Sequence, residues 1–239
     1  MNENKNIDSV IVGLALILSA VAFGLFFYFA RTGSNNDTLA VTGSAKTRVT
    51  SDQARLAVSL TRTTIGGGLS AGYTSIAHDA EITKKLLKDA GFSDSDITEN
   101  PVNMNQIYGP NGPTDQYQLN QSIVLQSKEV AKVTNVSKKI PSLAAQGAIA
   151  SIQSLEYYYS KLPDLRVSLL TQAVQDAKAR AAKIAEGTGR RVGDVQAASI
   201  GVVQVMSPNS VDVSDYGSYD TSSIDKDVMV TVKASFRLR

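Results

Sequence analysis

His78 is the only histidine in this sequence of 239 residues, so a general base working near neutral pH has to begin there. Cysteine is absent, which removes thiolate nucleophiles, disulfides, iron–sulfur clusters and cysteine-ligated zinc, and leaves a nucleophilic dyad without material. At about 100° per residue, Tyr73, Ile76, Ala77, Ala80 and Leu87 gather on one helical face and His78 falls away from it, towards solvent. Gly66-Gly67-Gly68 ahead of a helix invites a phosphate cradle. The Lys-Ser/Thr of a P-loop and the G-x-G-x-x-G spacing are both missing, so the glycines read as a flexible strand-to-helix connection. Asp212, Asp215, Asp220 and Asp225 could offer oxygens to calcium, which takes six to eight, but their spacing is not that of a calcium loop. Tyr157-Tyr158-Tyr159 cannot form one stacking platform, because successive strand residues face opposite ways. Arg190-Arg191, with Lys178, Arg180 and Lys183 before them, form the one basic cluster. It could touch an anionic lipid or polymer, while a solvated helix end is the plainer account, since cations suit a helix C-terminus. No residue is therefore assigned a catalytic, cofactor-binding or metal-binding role, and no cofactor is implied.

The elements that carry these residues alternate between strand and helix patterns. Residues 39–46 and 53–64 read as strands, the second alternating Ala54, Leu56, Val58 and Leu60 against polar neighbours. A helix over 70–90 stops at Gly91, and strands over 97–108 and 116–127 flank the turn sequence Gly109-Pro110-Asn111-Gly112-Pro113. A second helix, 129–146, is broken or kinked by Pro141. A strand over 149–159 precedes the longest helix, from Pro163 to Gly187, whose buried stripe is Leu169, Ala173, Ala177 and Ile184. Strands over 192–205 and 227–238 complete the sheet around a polar loop, 206–226. The fold expected is α+β: helices packed on a largely antiparallel mixed sheet, in one domain over 39–239.

Ahead of that domain lie a short tail (1–9), an apolar run (10–30) and a small polar linker (31–38). Twenty-one residues without a charge match a hydrocarbon core of about 30 Å at about 1.5 Å per residue, so 10–30 is expected to be a transmembrane helix that anchors the chain. A cleaved signal peptide fits less well, because the run is long and cutting after Ala30 would place Tyr28 at −3. Flanking charges are too sparse to fix orientation: Lys5 stands on one side, and Arg31, Lys46 and Arg48 on the other. A net charge of +2 argues against a nucleic-acid partner, which calls for a concentrated positive field.

The most distinctive stretch runs over 166–201, where an alanine-rich helix containing DAKARAAKIA meets a glycine stop, two arginines, VGDV and a strand. Val41-Thr42-Gly43-Ser44 followed by 54–60, and LLKDAGFSDSDIT over 86–98, agree with it. These stretches resemble the SIMPL-domain family, whose bacterial members include a periplasmic oxidative-stress defence protein. Ser51-Asp52 departs from the proline-acidic pair usual at the family's opening. The resemblance implies an extracytoplasmic mixed α/β domain, on the periplasmic side of the inner membrane, sometimes assembled into rings, and it brings no defined reaction. The function expected is a membrane-anchored cell-envelope domain acting as a homo-oligomer or by binding an envelope protein, with a link to stress defence. The alternatives are an enzyme of unrecognised type and a carrier of a small apolar ligand.

Overall fold

Ala54, Leu56, Val58 and Leu60 are all fully buried, and their alternation is what makes β2 (Gln53–Ile65) a central strand. The computed structural model describes residues 13, 17–28, 37–212 and 214–239. Of the expected anchor, residues 17–28 are helical and exposed, and the remainder, apart from residue 13, lies outside the described residues. Among the described residues, no helix is long and apolar enough to cross a membrane.

β2 pairs antiparallel with β5 (Gly112–Ser127) on one side and β6 (Ala150–Tyr158) on the other. The register with β6 shifts between Ala57 and Val58, leaving Gln153 as an extra residue, a β-bulge. On its far side β5 carries β3 (Ile97–Glu99) and β4 (Asn103–Gly109). The single strand expected over 97–108 is thus two strands, because Pro101 has no N–H for the ladder. The β4–β5 hairpin is tighter than its Pro- and Gly-rich sequence suggested. Gly109 pairs with Gly112, so only Pro110 and Asn111 form the tip, and Gly112 takes the positive φ of 110°.

One face of this sheet is covered by α1 (Leu69–Asp89), α2 (Val130–Ser137) and a 3₁₀ segment, Ile140–Gln146. The break before Pro141 is the one expected, and Gly91 at φ 86° ends α1. The buried face of α1 holds Gly72, Ile76, Asp79, Ala80, Thr83 and Leu87. Tyr73 and Ala77, expected there, are exposed, because the core takes in Asp79 and Thr83 instead.

A second sheet has the order β1 (Thr38–Thr50), β10 (Asp225–Leu238), β8 (Gln204–Met206), β9 (Ser218–Tyr219), with β7 (Val192–Ile200) also on β10. One sheet was expected, and two are present: side-chain alternation marks a strand's faces but does not choose its partner. The strand expected over 192–205 is split at Gly201, whose N–H donates to the Thr231 carbonyl at 2.9 Å. α3 (Leu162–Gly187) buries Leu169, Ala173, Ala177, Ala181 and Ala185 at four-residue steps. Ile184, expected in that stripe, is half exposed, since a line of strict four-residue steps passes through Ala181 and Ala185.

The chain forms two compact units, one of residues 1–41, 178–198 and 234–239, the other of 42–177 and 199–233. Their limits fall inside β1, α3, β7 and β10, where no change of composition could mark them. In the second unit Ala45, Leu162, Leu169, Ala173, Val205, Val228, Val230 and Val232 form one core cluster. The cluster between the first sheet and its helices is another.

Candidate functional site

The residues singled out for chemistry do not converge. His78 stands exposed on α1, with no hydrogen bond or ion pair among the described residues. Gly66–Gly68 form a 3₁₀ turn whose first amide faces the Asp115 carboxylate at 3.3 Å, so a phosphate there would meet a negative charge. Tyr157 is buried and shares a 2.9 Å hydrogen bond with Thr134. Tyr158 donates to Glu156 at 3.0 Å and packs against the Tyr219 ring at a centroid distance of 6.1 Å. Of the acidic loop residues, Asp220 accepts from Ser222 and Ser223 and Asp225 accepts from Thr50 at 2.7 Å. Among the described residues, no three His, Asp or Glu side chains gather to hold a metal ion.

Three polar clusters were not foreseen. Arg62 on β2 donates twice to Asp79, each bond 2.6 Å, and once to the Gly147 carbonyl at 2.8 Å. Asp79 is completely buried. Asp227 receives Lys46 at 2.9 Å and Arg48 at 2.8 Å, together with the Asn209 amide. These donors, Arg48 foremost, hold its carboxyl well below the ordinary range. Lys226 is fully buried and donates to the carbonyls of Asp220 at 2.5 Å and Ser223 at 2.6 Å. Burial lowers its pKa, and the Asp220 carboxylate 3.7 Å away opposes that shift. Burial also acts to raise the pKa of Asp220, yet the Ser222 and Ser223 donors prevail and hold it at about 2. Asp52, placed where the opening departs from the family pattern, accepts from the Ser160 amide at 2.8 Å, and the Ser51 hydroxyl beside it is buried without a hydrogen-bond partner among the described residues. In sequence each of these residues is one charge among many. None of them, Asp79 between His78 and Glu81 included, stands out from its neighbours.

Concave surface among the described residues includes three clefts. A cleft of about 480 Å³ is lined by Ile200, Val202, Met229 and Thr231 with Gln204 and Asp215. Another, of about 500 Å³, lies among Gln53, Asp96, Thr98, Lys128 and Glu129. A third, of about 470 Å³, lies among Lys178, Glu186, Arg190 and Arg191. In the second, Asp96 is hydrogen-bonded by Ser93, which holds its carboxyl below the ordinary range, so it is a poor proton acceptor near neutrality.

The alanine-rich helix, its glycine stop and the strands on either side of it occupy the positions that the sequence resemblance required. The family model for SIMPL, protein of unknown function (DUF541), matches residues 39–236. The chain belongs to the SIMPL family. No curated protein matches the SIMPL chain in sequence. Among solved structures, a candidate amidohydrolase/peptidase from Burkholderia cenocepacia is 9% identical, with a TM-score of 0.27, covering 55% of this chain and 32% of that one. AtUAH in complex with (S)-hydroxyglycine is 11% identical, with a TM-score of 0.22, covering 54% of this chain and 30% of that one. The SIMPL chain thus spans about a third of the length of each, and likeness at these TM-scores carries no argument about activity.

What the SIMPL domain does present is strand edge. Among the described residues, β4 pairs only with β5. Asn103, Met104, Asn105, Gln106 and Tyr108 are all exposed, on both faces of that strand. A strand with one free edge and apolar side chains in water is a template for pairing with another chain.

Proposed function

We propose that this SIMPL protein is a membrane-tethered cell-envelope domain that acts by assembling with copies of itself or with an envelope partner. The β4–β5 arm carries this reading: β4 offers unpaired backbone along one edge and exposes Met104 and Tyr108. The uncharged run over 10–30 supports the tether, which concentrates neighbouring domains enough for a modest interface to suffice. Placement on the periplasmic side and a part in stress defence rest on the family resemblance.

The chain contains no cysteine, so Tyr108→Cys introduces a single thiol at the arm. In membranes carrying the full chain, a maleimide-benzophenone attached to that thiol should, on irradiation, trap Tyr108→Cys as dimers, larger species or partner adducts. Adding Met104→Lys, a charge on the edge strand, should reduce the yield. Monomer alone, with no partner adduct at any expression level, would reject the assembly reading.

A further inference from the structure

Within the unit of residues 1–41, 178–198 and 234–239, three chain segments are stitched together at one place. The Asp37 carbonyl accepts from the Leu238 amide at 2.7 Å, and Arg191 and Arg239 exchange two backbone hydrogen bonds of 2.8 Å each. The Asp37 carboxylate accepts from Arg190, which lowers its pKa. The cleft of about 470 Å³ lies in this unit. Lys178, Ala182 and Glu186 line it from successive four-residue steps of α3. Gly189, at φ 71°, turns the chain so that Arg190 and Arg191 line it as well. Glu186 is occupied by Lys183 at 3.0 Å and Arg190 by Asp37, whereas Lys178 and Arg191 have no ion-pair partner among the described residues.

The position of this cluster along the chain gives it a meaning beyond a solvated helix end. Asp37 lies seven residues past Ala30, where the apolar run ends, and seven residues span at most about 25 Å. The cluster is therefore tied close to the surface that the anchor enters, where an anionic leaflet's field, though short in range, can act on it. We infer that Lys178 and Arg191, with Arg190, form a dock for anionic phospholipid headgroups that holds the base of the domain against the bilayer. This rests on the anchor proposed above.

Gly187 has open space where a Cβ would stand, so Gly187→Cys in the full chain accepts a fluorescent donor beside the cleft. The labelled chain is reconstituted into vesicles of phosphatidylcholine alone, or with phosphatidylglycerol added, each holding a headgroup-linked acceptor. Energy transfer should be greater in the anionic vesicles and fall at about 1 M salt, where screening shortens to about 3 Å. Lys178→Glu/Arg191→Glu should remove the difference, and Lys178→Gln/Arg191→Gln should lower the docked-to-undocked ratio about fivefold per residue. Equal transfer in both compositions, or transfer indifferent to both variants, overturns the dock. Loss of the difference on adding inorganic phosphate at constant ionic strength also overturns it, in favour of a free-anion site. Flotation of the same samples separates the two readings: a chain that floats with neither vesicle refutes the anchor, and with it the dock. A chain that floats with both but shows no composition dependence refutes the dock alone.

Discussion

Arg62 reaches from β2 to a carboxylate that solvent does not touch, and its third hydrogen bond, to Gly147, ties the end of the 3₁₀ segment to the same point. A buried ion pair gains little over apolar packing but is expensive to break, because the remaining charge is stranded. Arg62→Met should therefore cost about 3 kcal/mol in urea unfolding, and Arg62→Met/Asp79→Leu should recover most of that loss. A double variant as unstable as the single one would show that the pair does more than satisfy Asp79. Asp220 gives a pH dependence whose sign follows from its depressed folded-state pKa, about 2 against an ordinary 3.8. Its stabilisation is complete above about pH 4 and is lost as pH falls through about 2. Solvent screening leaves roughly 1 kcal/mol for this group. Between pH 5 and pH 2, wild type should lose about that much more stability than Asp220→Asn, and equal losses would place the acid sensitivity elsewhere.

α3 lies against β1 through its smallest side chains. A Cβ on Gly43 would strike the Ala173 carbonyl and the Ala177 amide, and would sit 2.7 Å from the Ala177 Cβ, so helix and strand are at the limit of approach. Ala177→Leu should destabilise the domain by about 1–3 kcal/mol through overpacking, and Gly43→Ala should do at least as much harm. Ala179, about 200° round the helix from Ala177 and exposed, should accept leucine with a change within about ±0.5 kcal/mol. Thermal melts of the three variants decide this, and similar shifts for Ala177→Leu and Ala179→Leu would mean that the contact is not close-packed.

For the whole molecule, the governing question is whether the apolar run over 10–30 stays attached. Its length suits a span and its end suits signal cleavage poorly. N-terminal sequencing of the protein from the membrane fraction should therefore find a start before residue 10, and a start after Ala30 would leave a released envelope domain. Family membership, the α+β class and nearly every element were legible in the sequence, because period, glycine stops and proline breaks are local effects written into neighbouring residues. The buried positions of β2 and the helix–strand contact through Ala173 and Ala177 followed from the same periodicity. The division into two sheets, the split at Gly201 and the inward turn of Asp79 were not legible. Each depends on which distant segment arrives opposite, as Thr231 does for Gly201 and Arg62 for Asp79. The candidate dock shows the same boundary. The sequence determined that Arg190 and Arg191 follow a helix rich in Lys and Arg. Only the tertiary structure brought Asp37 and the C-terminal Arg239 against them, because backbone hydrogen bonds between segments far apart in the chain have no local signature.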